Sequence, residues 1–298
     1  KTSSWKSADA MVKRQFIAEY KANSDDRPVY KKYLPILGIG AILDYLEMGN
    51  PYCHGEAHNL GRELFTQTRD IGQSLSLCGS RCTGGCMHGV IGEAFGGQSH
   101  EDWASKMDRF CHSGEMLRDH KPGNCAHAMG HALMLSNNGD LAGSLKACEE
   151  FKQPGMDYYC ATGVYMQYQF ILQEGKFPRD EQLLSATCGK EERFPAACYR
   201  YMLRVIRKTA EDDRERLIAT CLSLTDIHQQ RGCFHGLGNL YSPQMLRRPV
   251  LLAEICQHGD VESQALCIEG AIEKLADYNS RQAEWLCTAL SGNNLETC

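Results

Sequence analysis

The chain has little of what marks the commonest functional classes. None of its 298 residues fall in a run approaching the ~18 to 20 apolar residues of a membrane span. No Asn-x-Ser/Thr sequon is present, so nothing favours a glycosylated eukaryotic secretory protein. HExxH is absent, which removes the commonest zinc-protease arrangement. G-x-S-x-G is absent too, and GGQSH near Gly97 reads as a turn, not a nucleophile elbow. Neither a P-loop nor a dinucleotide fingerprint is found. Net charge is -5 with both signs well mixed, so neither nucleic acid nor an anionic membrane is expected as the main partner. Asn-Gly or Asp-Gly turns between alternating apolar runs are missing, which leaves little signal for strands. The chain opens at Lys1 without an apolar signal region, and the expectation is a leader removed or a start placed after one.

Cysteine, in contrast, is abundant. Sixteen cysteines, an even number, would be a hazard in reducing cytosol. The expected compartment is oxidising: secreted, periplasmic or cell-surface. Paired CxxC knuckles are lacking, which disfavours zinc clusters, and CTGGCMH from Cys82 departs from c-type haem attachment by its CxxxCxH spacing. Most cysteines instead form spaced doublets: Cys111/Cys125, Cys148/Cys160, Cys188/Cys198, Cys221/Cys233, Cys256/Cys267 and Cys287/Cys298. Position in the pattern matches Cys78 with Cys86 and leaves Cys53 for Cys82. Closing loops of this size restrains the unfolded chain by roughly 3 kcal/mol per bridge in the entropy model.

The second members of the doublets recur every 31 to 39 residues, the period of a two-helix repeat. Apolar residues fall at helical spacing in YRYMLRVIRKTA, DDRERLIATCLSL and IEGAIEKLADY. Each repeat is therefore expected to hold a helix A beginning at the second cysteine of a doublet and a helix B ending near the first cysteine of the next. The predicted fold is all-α: residues 1–30 supply an N-terminal capping helix, SADAMVKRQFIAEY, and residues 31–298 form one array of about seven helical pairs. LPILGIGAILDYLEM is expected to be one helix. The array is expected to curve as a solenoid or close as an α/α toroid. The repeat resembles, in architecture, disulfide-linked helical-repeat proteins of the Sel1-like kind. That family's glycine and tyrosine consensus is absent, so the resemblance implies architecture and no function.

Seven segments open on a cysteine with similar character, among them CHGEAHNLG, CMHGVIGEA, CAHAMGHAL and CFHGLGNLY. Six of the eleven histidines sit in such segments: His54, His58, His88, His127, His131 and His235. His54/His58 and His127/His131 are HxxxH pairs, which place two imidazoles on one helical face. Thr162, Arg200 and Glu269 occupy the position of the first histidine in other repeats, and a small residue follows it at Gly55, Gly89, Ala128, Gly163, Gly236 and Gly270. Small residues there would let adjacent A helices approach closely. Helix N-termini would also favour neutral, metal-binding imidazole.

The expectation is a transition-metal site, copper favoured and iron or zinc as competitors, with Glu56, Glu63 or Glu93 as additional ligands. Divided in threes, His54, His58 and His88 would hold one ion, and His127, His131 and His235 the other. The competing arrangement is one ion with an open position. Arg200 and Arg204 would orient an anionic small-molecule substrate in the same cavity as Glu269 and Glu273, or form an ion-pair ladder between repeats. Tyr159, Tyr165 and Tyr168 are read as core residues, and His100, His112, His120, His228 and His258 as solvated. The functional expectation is an extracytoplasmic, metal-dependent (copper or iron) oxidoreductase. Its alternatives are a non-catalytic metal or haem carrier and a repeat module binding a protein on its concave face.

Overall fold

The computed structural model describes residues 4–50, 53–99, 106–174, 181–207, 213–278, 280–290, 292 and 298. Among the described residues every regular element is helical and there is no strand. Among these residues, too, no helix is long and apolar enough to cross a membrane. The chain divides into two compact units, Lys1–Val164 and Tyr165–Cys298.

In the first unit the helices are α1 (Ala10–Ala22), α2 (Arg27–Leu37), α3 (Ile39–Gly49), α4 (His54–Thr68), α5 (Ile71–Cys78), α6 (Gly85–Phe95), α7 (Met107–Cys111), α8 (Gly114–Asp119), α9 (Pro122–Ser136) and α10 (Leu141–Cys148). Helix α11 (Met156–Glu174) runs across the boundary. The second unit holds α12 (Glu181–Cys188), α13 (Pro195–Ile206), α14 (Arg214–Leu222), α15 (Ile227–Arg247), α16 (Val250–Cys256), α17 (Val261–Tyr278) and α18 (Ser280–Cys287).

Capping chemistry starts many of these helices. The carboxylates of Asp9, Asp70, Asp140 and Asp226 accept from backbone N–H groups of the first turn. Pro122 and Pro195 open α9 and α13, where a missing N–H costs nothing. The segment expected to be one helix from Leu34 to Met48 is broken at Gly38, whose φ of 76° only glycine adopts without strain. Helix α1 forms where expected, and its Phe16 is buried among Trp5, Tyr20, Tyr33 and Tyr45. The end of the segment YRYMLRVIRKTA and the start of DDRERLIATCLSL, residues 208–212, lie outside the described residues.

All eight expected disulfides form, and no cysteine is free. Each short helix α5, α7, α10, α12, α16 and α18 ends on the first cysteine of its pair, and α14 ends one residue after Cys221. The long helices depart from expectation at their starts. Cys125, Cys160 and Cys198 lie about one turn inside, and Cys233 and Cys267 about two, because the proline and aspartate start signals stand upstream of the cysteine.

The long helices pack side by side in each unit: α4 with α6 and α6 with α9 in the first, α13 with α15 and α15 with α17 in the second. Glycine sets their spacing. A Cβ on Gly89 would fall on the carbonyl of His58, on Gly163 on that of His127, and on Gly270 on that of His235. Gly236 meets the backbone of Arg200 in the same way, whereas Gly55 faces open space. The small residue after the register position therefore does bring backbones together at four of its positions.

Candidate metal centre

Close approach of α4, α6 and α9 brings five of the six expected histidines together within the first unit. His54 and His58 project from the first turns of α4, His88 from α6, and His127 and His131 from the middle of α9. Ring centroids of His88 lie 4.8 Å from His54, 5.4 Å from His58, 4.8 Å from His127 and 5.6 Å from His131. His58 and His131 approach to 5.2 Å. Two sets of three ring nitrogens, His54/His58/His88 and His88/His127/His131, each lie within 4.8 Å of one another. Both sets could hold a metal ion. His54 is half-buried; the other four rings are 9 % exposed or less.

Two threonines orient the outer rings. Nδ1 of His127 is 2.6 Å from the Thr162 hydroxyl, which itself donates to the Tyr159 carbonyl at 2.6 Å. With the hydroxyl proton committed, His127 must donate from Nδ1, and in the neutral ring Nε2 then carries the lone pair. That Nε2 lies 3.2 Å from Nε2 of His131. In α4 the same logic runs through Thr83. Its carbonyl, which only accepts, is 3.0 Å from Nδ1 of His54, and Nε2 of His54 is 3.1 Å from Nε2 of His58. Metal-binding histidines ordinarily show this arrangement, the second nitrogen donating to an oxygen that fixes tautomer and ring orientation.

The backbone presenting Thr83 is strained. Cys82 and Thr83 have φ of 49° and 51°, a left-handed conformation that a β-branched residue rarely adopts. The Cys53–Cys82 bridge holds this turn, the Cys82 N–H donates to Glu47, and Arg81 pairs with Asp44 and Glu47.

His88 differs from the outer rings. It is buried, and neither Nδ1 nor Nε2 has a hydrogen-bond partner. Burial, followed by the surrounding imidazoles His54, His127, His58 and His131, holds its pKa well below the ordinary histidine value. The ring is therefore neutral at physiological pH, the form that ligates metals.

Carboxylates do not enter either set. Glu93 accepts from Arg27 at 2.7 Å, Glu63 lies 3.8 Å from the same guanidinium, and Glu56 is half-buried. Glu47, Cys53 and Cys82 also lie close together, but the two sulfurs are bonded to each other and are not available as thiolates. Only His54 and His88 lie in the first turn of their helices, whereas His127, His131 and His235 lie further inside α9 and α15.

His235 lies in the second unit, buried, with Nε2 3.5 Å from Glu273. Glu273 also pairs with Arg200 and accepts from Asn239 at 3.0 Å, while Arg204 donates to the Asn239 side chain at 2.9 Å. This is the ion-pair ladder between neighbouring long helices. Burial pulls the Arg204 guanidinium down to about 10. Glu269 is exposed and takes no place in the ladder.

Tyr165 is a core residue donating to Glu191, but Tyr159 is 40 % exposed, flanking Gly123 at the helix surface, and Tyr168 is half-buried. His228 is exposed, and His112 and His258 half-buried, but His120 is buried beside the Leu75 carbonyl, contrary to the expectation of a solvated ring. His100 lies outside the described residues. The orienting role of Thr162 and Thr83 has a partial signal in the sequence, since Thr162 stands at the histidine register position; its contact with His127 requires the packed helices. Comparison with protein-family models, with curated proteins and with solved structures finds no match.

Proposed function

We propose that this chain is an extracytoplasmic metal-binding protein whose first unit holds copper, and that it acts as a metal-dependent oxidoreductase on a small molecule. The observation that carries the reading is the five-histidine cluster, four of its rings buried, with His88 at its centre lacking any hydrogen-bond partner. Buried polar atoms without partners call for an explanation such as an ion. Imidazole-only donor sets suit copper, iron and zinc, and divalent copper heads the affinity order. Copper and iron change oxidation state where zinc does not, which ties the reaction class to the metal. Within this proposal His54 and His127 are the oriented ligands, Thr83 and Thr162 hold their Nδ1 protons, and half-buried His54 marks the side from which a substrate approaches.

The eight disulfides indicate an oxidising, extracytoplasmic environment. Secretion or a periplasmic location is part of the proposal, as is the reading of the helical pairs within each unit as solenoid segments. Elemental analysis of protein purified without chelators or a histidine tag tests the core of it. Bound copper with an optical or paramagnetic signature is expected. His127→Ala with His131→Ala should reduce bound metal at least tenfold, and unchanged stoichiometry refutes the site.

In the second unit we assign Arg200 and Arg204 a separate anion-holding role. Arg200 pairs with Glu273, Arg204 donates to the Asn239 side chain, and Arg204 Nε is buried without a hydrogen-bond partner. Inorganic phosphate should raise the melting temperature of the wild type and leave that of Arg204→Met unchanged; equal shifts remove the assignment.

A further inference from the structure

The number of ions follows from the chemistry of His88. An imidazole that binds one metal through one nitrogen keeps an N–H on the other, and a buried N–H needs an acceptor. His54 and His127 satisfy this condition: each directs Nδ1 to a threonine oxygen and leaves Nε2 for a metal. His88 does not. Both of its nitrogens are buried and neither has a partner, although the ring is only 5 % exposed. It also belongs to both three-histidine sets, with the His54 and His127 rings each at 4.8 Å.

We infer that His88 bridges two metal ions, one nitrogen to each, with His54 and His58 completing the shell of the first and His127 and His131 that of the second. The inference rests on the metal-centre reading above. It replaces the division by chain order, in which His235 joins His127 and His131, with a division about a shared ring. In a bridging imidazole the N–H bond is exchanged for a second nitrogen–metal bond, and the proton leaves to solvent. Metal–nitrogen bonds of about 2.0 Å on opposite sides of the ring would hold the ions roughly 6 Å apart. That is close enough for two copper(II) spins to couple through the ring. The candidate ligands are accordingly two first-row divalent ions that accept imidazole, copper(II) foremost.

The full chain, titrated with copper(II) sulfate and dialysed, provides the test through metal content and integrated paramagnetic resonance. The expected result is two copper ions per chain, with the signal rising for the first ion and falling as the second enters. One ion per chain, or two with fully additive spin, overturns the bridge while keeping a metal site. No retained copper overturns the metal-centre reading as well. His88→Gln, checked for native helix content by circular dichroism, should lose the coupled state and at least one ion; two coupled ions in that variant would overturn the assignment. The wild-type measurement stands even if the variant fails to fold.

Discussion

The two units place different chemistry at matching points of their long helices. In the first unit the register positions carry His54, His88 and His127, rings that face one another without a carboxylate in either three-histidine set. In the second they carry Arg200 and His235, with Glu273 paired to both. Helix spacing is the same device in each, glycine against backbone at Gly89 and Gly163 on one side and at Gly236 and Gly270 on the other. The contrast teaches that this helix packing builds a buried polar seam, and that residue type alone decides its use. Lone pairs without counter-charges form a set that could hold a metal ion. Opposite charges largely satisfy each other.

The sharpest way to break the comparison is to unbalance the second seam. Glu273→Gln removes the carboxylate that pairs with Arg200 and accepts from Asn239. Removing one partner of a buried pair should destabilise the protein by about 3 kcal/mol, read from urea unfolding. Copper binding by the first unit should persist in that variant at temperatures where it stays folded.

Next in size is the orientation of a ligand in the first seam. Thr162→Val removes the acceptor for His127 Nδ1. Metal affinity, measured by chelator competition, should fall about 10- to 100-fold, and Thr162→Ser should restore it. Equal affinity in Thr162→Val and wild type would contradict the threonine's role.

The smallest effect concerns pH. His88 has its folded pKa depressed by burial and by neighbouring imidazoles, while its unfolded value stays near 6.5. Above both values the ring is neutral in either state, and its contribution to stability is constant. Below the unfolded value the unfolded chain takes up a proton that the folded chain refuses, so stability is lost as pH falls toward the folded pKa. The metal-free protein should weaken by about 1.4 kcal/mol per pH unit in that window from this ring. Urea midpoints across it should show a shallower slope in His88→Gln; an identical slope would place the titration elsewhere.

Sequence alone reaches far into this fold because its disulfides are local. Spacing between neighbouring cysteines suggests six of the eight pairings, the two among Cys53, Cys78, Cys82 and Cys86 need the repeat register as well, and the ends of α5, α7, α10, α12, α16 and α18 coincide with cysteines. Helix starts are harder to read. Pro122 and Asp226 begin helices well before Cys125 and Cys233, so residues that seem to lie in a first turn, such as His127 and His235, sit deep in a helix. The five histidines of the cluster are legible within a set of six, which includes His235, from HxxxH spacing and shared register. Their grouping is not, since His88 joins both threes only through the side-by-side packing of α4, α6 and α9. Burial of His120 and the break at Gly38 likewise depend on tertiary contacts and on one glycine's backbone angle.

Six of the eight bridges join consecutive cysteines no more than 14 residues apart, so each can close as soon as its own stretch of chain is exposed to an oxidant. Cys53–Cys82 and Cys78–Cys86 alone interlock, and joining neighbours in order of emergence would give the wrong partners there. The native exchange positions the turn that carries Thr83 against His54. Maturation of the first seam thus depends on a thiol-shuffling step that the rest of the molecule does without, and a host lacking a disulfide isomerase would accumulate chains sound everywhere but at that turn.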